Sequence, residues 1–458
     1  MSVLYLHPED LETCMEGGDG RVLSRRIQEA IEQIASSGGG CLELGCGDWL
    51  CATLFLRSRV ELRLARGCRL VADPDMSHYT PAPHPWSDYK HPCKSFLIAE
   101  GCEQVALTGP GVIDGSCMSF WEPCEHEDER PHGIFRFKPK QSAVHGPTPL
   151  VELARCRDLV VDGVTIVNSP GWTLHVYDSD HVSVRNVTIR NNRLVPYTDG
   201  IGINGCRDVR VAHCDVDTGD DAIIIKATHP DLNCERVTVT NCVASSNCSA
   251  FGLGADAAGT IRDVVFSHCV AARALRMIQV EQWYAGTIER AIFSNITGRT
   301  FPDEGIHCER PIYVDIQQWT RGPADSDGEG TPPLGIVRDL VFHSILCETR
   351  GRIVLTAQDG SRIENVSLDN IHLRIPEIED PATTVPAARS MQLSNFNPET
   401  RAARAALVAD NVDGLDVRDV RVSWPDTPEV PMEATCLRRC ENVRIESPAL
   451  SSCHPRHL

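Results

Sequence analysis

The sequence predicts an all-β fold, a parallel β-helix or solenoid, with an N-terminal capping helix. Length is the first reason: 458 residues exceed what one compact core usually holds, so the chain must either divide or repeat a unit. Composition is the second, since aromatics are only 5% of residues while Gly numbers 34 and Pro 29, a balance that suits short strands and turns. The third is a ladder of similar segments: "LVVDGVTIVN", "VSVRNVTIRN", "VRVAHCDVDT", "VTVTNCVASS", "VVFSHCVAAR", "AIFSNITGRT", "LVFHSILCET" and "VSLDNIHLRI". Aligned before each second strand, they set Gly163, Asn186, Cys214, Cys242, Cys269, Asn295, Ser344 and Asn370 in register, at steps of 23, 28, 28, 27, 26, 49 and 26 residues. A period in this range, built of β-branched strands with no helical pattern between them, marks a solenoid.

The elements follow in chain order. "GRVLSRRIQEAIEQIASSGGG" carries Val22, Ile27, Ile31 and Ile34 at helical spacing and ends in three glycines, which predicts an amphipathic helix covering the open strand edges of the first coil. From "CLELGCGDWLCATLFLRSRVELRLARGCRL" onward the pattern alternates as strands. The polar, His-rich stretches "HPWSDYKHPCKSF" and "CEHEDERPHG" read as solvated loops rather than a metal site, and "RGPADSDGEGTPPLG" as an insertion that explains the 49-residue step. Equivalent residues of successive coils stack at roughly 4.8 Å, so Cys214, Cys242 and Cys269 are expected as inert core residues at inward corners. The expected division is a cap over 1–40, a β-helix over 41–445 and a tail over 446–458.

Charge and cysteine usage exclude several classes of function. The net charge is −19, from 63 acids against 44 bases with no basic stripe, which argues against nucleic acid as a partner. No run of about 18 apolar residues suggests a membrane span, and the start lacks the pattern of an export signal. The 21 cysteines are scattered singly rather than in C-x-x-C pairs, so neither zinc nor a disulfide framework is expected, and a reducing, cytoplasmic location is.

Chemistry enters with "YTDGIGINGCRDVRVAHCDVDTGDDAIIIK", residues 197–226. Asp199 precedes Asp220 and Asp221 by about one coil, so the solenoid should bring the carboxylates to neighbouring rungs, roughly 5 Å apart. Taken singly, Asp-Gly and Gly-Asp-Asp are turn signals. Two acidic sites one repeat apart, each leading into an apolar strand, instead suggest one site, because close carboxylates perturb each other's protonation. One protonated acid beside one ionised base is what glycosidic bond cleavage requires. By the general spacing rule, a separation this short points to a retaining mechanism.

These residues resemble glycoside hydrolase family 28, the polygalacturonases and related pectin hydrolases. "YTDG" and "TGDDAIIIK" are similar to the family's Asn-Thr-Asp and Gly-Asp-Asp motifs, with agreement also in "GPGVIDGSCMSFW", "NSPGWTLHV" and "RPIYVD", over about residues 20–375. The resemblance implies a right-handed parallel β-helix and hydrolysis with inversion, Asp220 serving as general acid and Asp199 with Asp221 activating the water. It also exposes two departures: Ser249 stands at the position of the family's Gly-His-Gly histidine, and Ile278 at that of the Arg-Ile-Lys lysine, whose arginine is kept as Arg276. Candidate substrate-binding residues are therefore Ser249, Arg276, Lys226, Gln279, Glu281, His307 and Arg310. The expectation is a glycoside hydrolase without metal or other cofactor, acting on short pectin-derived or related uronic-acid-containing oligosaccharides. A uronate lyase or epimerase on the same scaffold, and a catalytically silent carbohydrate-binding protein, remain the rival readings. The sugar, the linkage, exo versus endo action and the oligomeric state are not legible in the sequence.

Overall fold

A computed structural model describes residues 2–7, 20–81, 94–130, 135–141, 146–300, 309–318, 333–376, 403–424 and 433–447. They form two compact units, the first ending at Ala222 and the second beginning at Ile223. Each is a run of right-handed parallel β-helix, in which every coil contributes strands that pair in parallel with those of the next. No helix among the described residues is long and apolar enough to cross a membrane.

In the first unit the core is built by β-branched and leucine side chains repeating at one position per coil. Leu107, Val161, Val184 and Val211 pair in register on four successive coils, and Ile113, Ile166, Ile189 and Val216 do the same on the neighbouring face. All eight are fully buried. A third face stacks Leu97–Glu100, Val151–Ala154, Leu174–Tyr177 and Ile201–Asn204. In the second unit, 14-residue strands Thr260–Arg273, Thr287–Thr300 and Ile336–Thr349 lie side by side. Their core is an aromatic stack, with ring centroids 5.0 Å apart for Phe266 and Phe293 and 5.4 Å for Phe293 and Phe342. The 49-residue step is one coil: Ser294 pairs with His343 and Ile296 with Ile345, as the insertion reading requires, and residues 321–332 of that insertion lie outside the described residues.

The coil corners correct the predicted register by one residue at three places. A left-handed residue marks the corner before each second strand, namely Gly163, Asn186 and His213 in the first unit and Asn241, His268, Asn295, Ser344 and Asn370 in the second. Cys214, Cys242 and Cys269 each follow the corner instead of forming it, and point inward at 1–2% exposure. The physical reason is that a left-handed φ suits Asn, Asp, His or Gly, whereas a thiol is a small apolar group best placed in the core. A second left-handed residue stands five positions before each of these corners: Asp158, His181 and Asp208 in the first unit, and Arg236, Asp263, Arg290, Asp339 and Asn365 in the second.

The predicted N-terminal helix spans Gly20–Ser36. Its buried face is Leu23, Ile27, Ala30, Ile31 and Ile34, while Val22 is 45% exposed, one position off the expected stripe. Gly38 and Gly39, both at left-handed φ, end it by returning their N–H groups to Ala35 and Ile34 carbonyls. Gln28 caps a strand edge directly: its amide donates to the Phe55 carbonyl at 3.0 Å and accepts from the Phe55 N–H at 2.8 Å, copying a missing β partner. Unforeseen is the strand Ser2–Leu6, which pairs in parallel with Gly40–Leu44. The end of the expected tail, residues 448–458, lies outside the described residues, whereas Glu441–Glu446 is a strand pairing with Val412–Ser423.

The phenylalanine stack should dominate stability in the second unit. Phe293→Ala, which leaves a ring-sized void between two stacked rings, is expected to cost about 3–5 kcal/mol in chemical denaturation.

Candidate active site

The three predicted acids lie on two adjoining loops of the first unit. The first loop leaves strand Thr188–Arg190 at Asn191 and returns to the sheet at Ile201; the second joins strand Asp215–Thr218 to Ala222. Val195 anchors the first loop in an apolar cluster with Cys117, Phe120 and Trp121, against which Tyr197 also packs. Two glycines are required by close approach. A Cβ on Gly200 would lie 2.4 Å from Val216 Cγ1 and 2.5 Å from the Ala222 carbonyl oxygen, and one on Gly219 would lie 2.3 Å from the Val195 carbonyl oxygen.

Hydrogen bonds join the loops at each acid. Gly200 and Ile201 donate their N–H groups to the carbonyls of Asp221 and Ala222, both at 2.8 Å, so the two acidic strings continue as paired rungs. Gly219 N–H donates to Thr198 Oγ1 at 3.0 Å, tying the residue before Asp220 to the residue before Asp199. The Asp220 carboxylate accepts from the N–H groups of Tyr197 at 3.3 Å and Asp221 at 3.0 Å. Tyr197 makes its contact from a left-handed backbone, φ 60°, a costly conformation for an aromatic residue. Asp199 and Asp221 are 5% and 7% exposed, whereas Asp220 is half-buried. Single carboxylate oxygens of Asp220 and Asp221 lie within 4.8 Å of each other. Such a set offers one accessible carboxyl group that can deliver a proton and two sequestered ones that can accept hydrogen bonds from water.

The remaining candidates belong to the second unit. Ser249–Ala257, Arg276–Gln282 and Arg310–Ile316 are successive strands, with Ser249, Arg276 and Arg310 in one register column and Gly252, Gln279 and Tyr313 in another. Ser249 and Arg276 both donate to the Gln279 side-chain oxygen, the latter at 2.7 Å. The Arg276 guanidinium stands 5.2 Å over the Tyr313 ring and 3.9 Å from the Glu281 carboxylate. Thus four of the predicted residues, Ser249, Arg276, Gln279 and Glu281, form one buried network. Lys226 forms a part-buried ion pair, its ammonium 2.7 Å from the Asp256 carboxylate. Arg310 donates to the Glu309 carbonyl at 2.7 Å, while the Glu309 carboxylate is held by Arg350. His307 lies outside the described residues.

Sequence reasoning missed several polar groups in both units. Asp315 pairs in register with Glu281, is 4% exposed, and receives the Thr356 hydroxyl at 2.8 Å. Burial pushes its carboxyl up to about 7. In the first unit Glu152 and His175 form a buried pair at 2.7 Å, with the second ring nitrogen of His175 3.3 Å from the Asn204 amide. Their only signal in the sequence was polarity at outward positions of strands that are otherwise apolar.

A parallel β-helix bearing clustered carboxylates on adjoining coil loops defines a class, that of the β-helical polysaccharide-processing enzymes. The chain matches the model of glycosyl hydrolases family 28 over residues 80–394 and belongs to that family. An endo-polygalacturonase of Pectobacterium carotovorum is 22% identical over 374 residues, covering 78% of this chain and 85% of the relative. A probable polygalacturonase of Vitis vinifera is 27% identical over 54% of this chain, and that match spans about half of the grapevine protein. Among solved structures, an exopolygalacturonase from Thermotoga maritima superposes with a TM-score of 0.61 at 22% identity, covering 82% of this chain and 88% of its own. The family 28 exopolygalacturonase of Yersinia enterocolitica gives 0.67 at 15% identity, over 97% and 79%. These likenesses agree with the fold built above.

The raised Asp315 carboxyl makes a pH prediction. Its folded value exceeds the ordinary aspartate value, so its neutral form is favoured in the native state; its contribution is present at low pH and is lost as pH rises from about 4 through about 7. Asp315→Asn should therefore gain melting temperature relative to the wild type across that window and hold a constant advantage above it. A difference independent of pH would contradict the assignment.

Proposed function

We propose that this glycoside hydrolase cleaves pectin-derived, uronic-acid-containing oligosaccharides by single displacement. The observation that carries the reading is the pair of cross-loop hydrogen bonds, Gly219 N–H to Thr198 Oγ1 and Tyr197 N–H to the Asp220 carboxylate, which tie the two acid-bearing loops to each other. Asp220, the half-buried member, gives its proton to the glycosidic oxygen as the bond to the anomeric carbon breaks. Asp199 and Asp221 together hold a water molecule and take its proton as its oxygen attacks that carbon from the opposite face, so the product forms with inverted configuration. The close approach of Asp220 and Asp221 does not by itself require a retaining route. In that route one carboxylate must be free to attack the sugar, whereas the two buried acids here are suited to holding one water between them.

The names of the relatives support the substrate class, since the proteins named above are polygalacturonases. All 17 described cysteines are free thiols, most of them buried, which supports a reducing, cytoplasmic location. Short imported oligosaccharides would reach an enzyme placed there.

The test is a product screen. Wild type and Asp220→Asn are incubated with galacturonide, rhamnogalacturonan and neutral oligosaccharides, and products are followed by chromatography and, for the anomer formed first, by proton NMR. The expected outcome is reducing sugar of inverted configuration from a uronic-acid-containing substrate, with turnover reduced by about 10³-fold or more in the variant. Unchanged turnover in Asp220→Asn would sink the reading. Products absorbing in the ultraviolet would mean elimination, and place the protein among lyases.

A further inference from the structure

The acid-bearing loops meet at a residue that belongs to neither acidic motif. Asn191 opens the first loop, eight residues before Asp199, and its backbone N–H donates to the Asp217 carbonyl at 2.8 Å. Its side chain reaches three coils. The oxygen accepts from Ser169 N–H at 2.9 Å, and the amide nitrogen donates to Thr173 Oγ1 at 2.7 Å. The same nitrogen lies 3.3 Å from Thr218 Oγ1 and 3.4 Å from the Thr198 carbonyl oxygen, so its second hydrogen is shared between the two loops.

Thr198 and Thr218 carry the connection to the acids. The Thr218 hydroxyl donates to the Thr198 carbonyl, and Thr198 Oγ1 accepts the Gly219 N–H and donates to the Val195 carbonyl at 3.2 Å. Both threonines are completely buried, as is Ser169, and Thr173 is 1% exposed. Buried hydroxyl and amide groups of this kind cost stability when any one partner is removed, and they fix geometry because each has few alternative partners. Asp199 is the next residue after Thr198, and Asp220 lies two residues after Thr218. Thr173 N–H also donates to the Asp199 carbonyl at 2.9 Å, which closes the network on the acid's own backbone.

We propose that Asn191 is the positioning residue of the acidic site: one side-chain amide that sets the spacing between the Asp199 loop and the Asp220–Asp221 loop, acting through Thr198 and Thr218. For catalysis this rests on the hydrolase reading above. A displacement of roughly 1 Å between proton donor and water-holding acids costs on the order of 100-fold in rate, so the network has enough leverage to matter. Asn191→Ala removes all four side-chain contacts. Thr218→Val keeps the shape and removes the hydroxyl, whereas Thr218→Ser keeps the hydroxyl.

Two readouts test it. The first needs no substrate: in protein labelled with carbon-13 at aspartate carboxyls, titration midpoints are followed for Asp199, Asp220 and Asp221. In Asn191→Ala and Thr218→Val, those of the loop acids should move by about half a pH unit or more, because their mutual spacing has changed. In Thr218→Ser they should stay near wild type. The second is turnover of trigalacturonate, where Asn191→Ala and Thr218→Val should lose about 10- to 100-fold in kcat with KM nearly constant, and no further when combined. Should Asn191→Ala fail to fold, the Thr218 pair decides. Titrations that stay unmoved in Thr218→Val, or equal losses in Thr218→Val and Thr218→Ser, overturn the proposal. Shifted titrations alongside full activity of Asp220→Asn would instead keep the positioning role and remove the hydrolase reading.

Discussion

Parallel pairing at one strand spacing per coil is the constraint on which everything else here depends. It converts a sequence interval of about 25 residues into a contact, so that Val161, Val184 and Val211 touch in the core although 23 and then 27 residues separate them. The same conversion places Gly200 against Asp221 and Ile201 against Ala222. A backbone ladder made for burying valines thereby brings the two acid-bearing loops together. The cost of crowding acids is borne by the fold around them, through a strained Tyr197, two glycines with no room for a side chain, and a set of fully buried hydroxyls.

Much of this was legible in the sequence because a solenoid writes its structure locally. Inward β-branched residues, polar corners and the interval between the acids are all visible in one pass along the chain, and the 49-residue step announces its own insertion. The corner register slipped at Cys214, Cys242 and Cys269 for a definable reason. In "AHCDV", "TNCVA" and "SHCVA" a small residue stands next to a polar one, and only backbone conformation tells which turns the chain. The strand Ser2–Leu6 went unseen because it is separated from its partner Gly40–Leu44 by the whole helix.

Side-chain partnerships were far less legible than backbone placement. Arg276, Gln279, Ser249 and Glu281 were named as candidates one by one, yet their mutual contacts, with Tyr313 beneath the guanidinium, depend on rotamers that no spacing rule supplies. Lys226, also named as a substrate-binding candidate, meets Asp256, thirty positions on across a bulged rung, a partner that no spacing rule supplies. Asn191 gave the faintest signal of all, one asparagine in "RNNRLVPYTDG". What could have pointed to it is the threonine that stands one or two residues before the first acid of each motif, in "YTDG" and "DTGDD".

Whether the acids act as one site is tested most directly by combining their substitutions. Asp199→Asn, Asp220→Asn and the double variant are compared by kcat/KM on one cleavable oligosaccharide. Groups that work as a unit lose nearly everything with the first member removed, so the double variant should be no slower than the worse single variant within a factor of about three. Losses that multiply, or a single variant that keeps full activity, would show that the two loops carry separate turn residues and contradict the account.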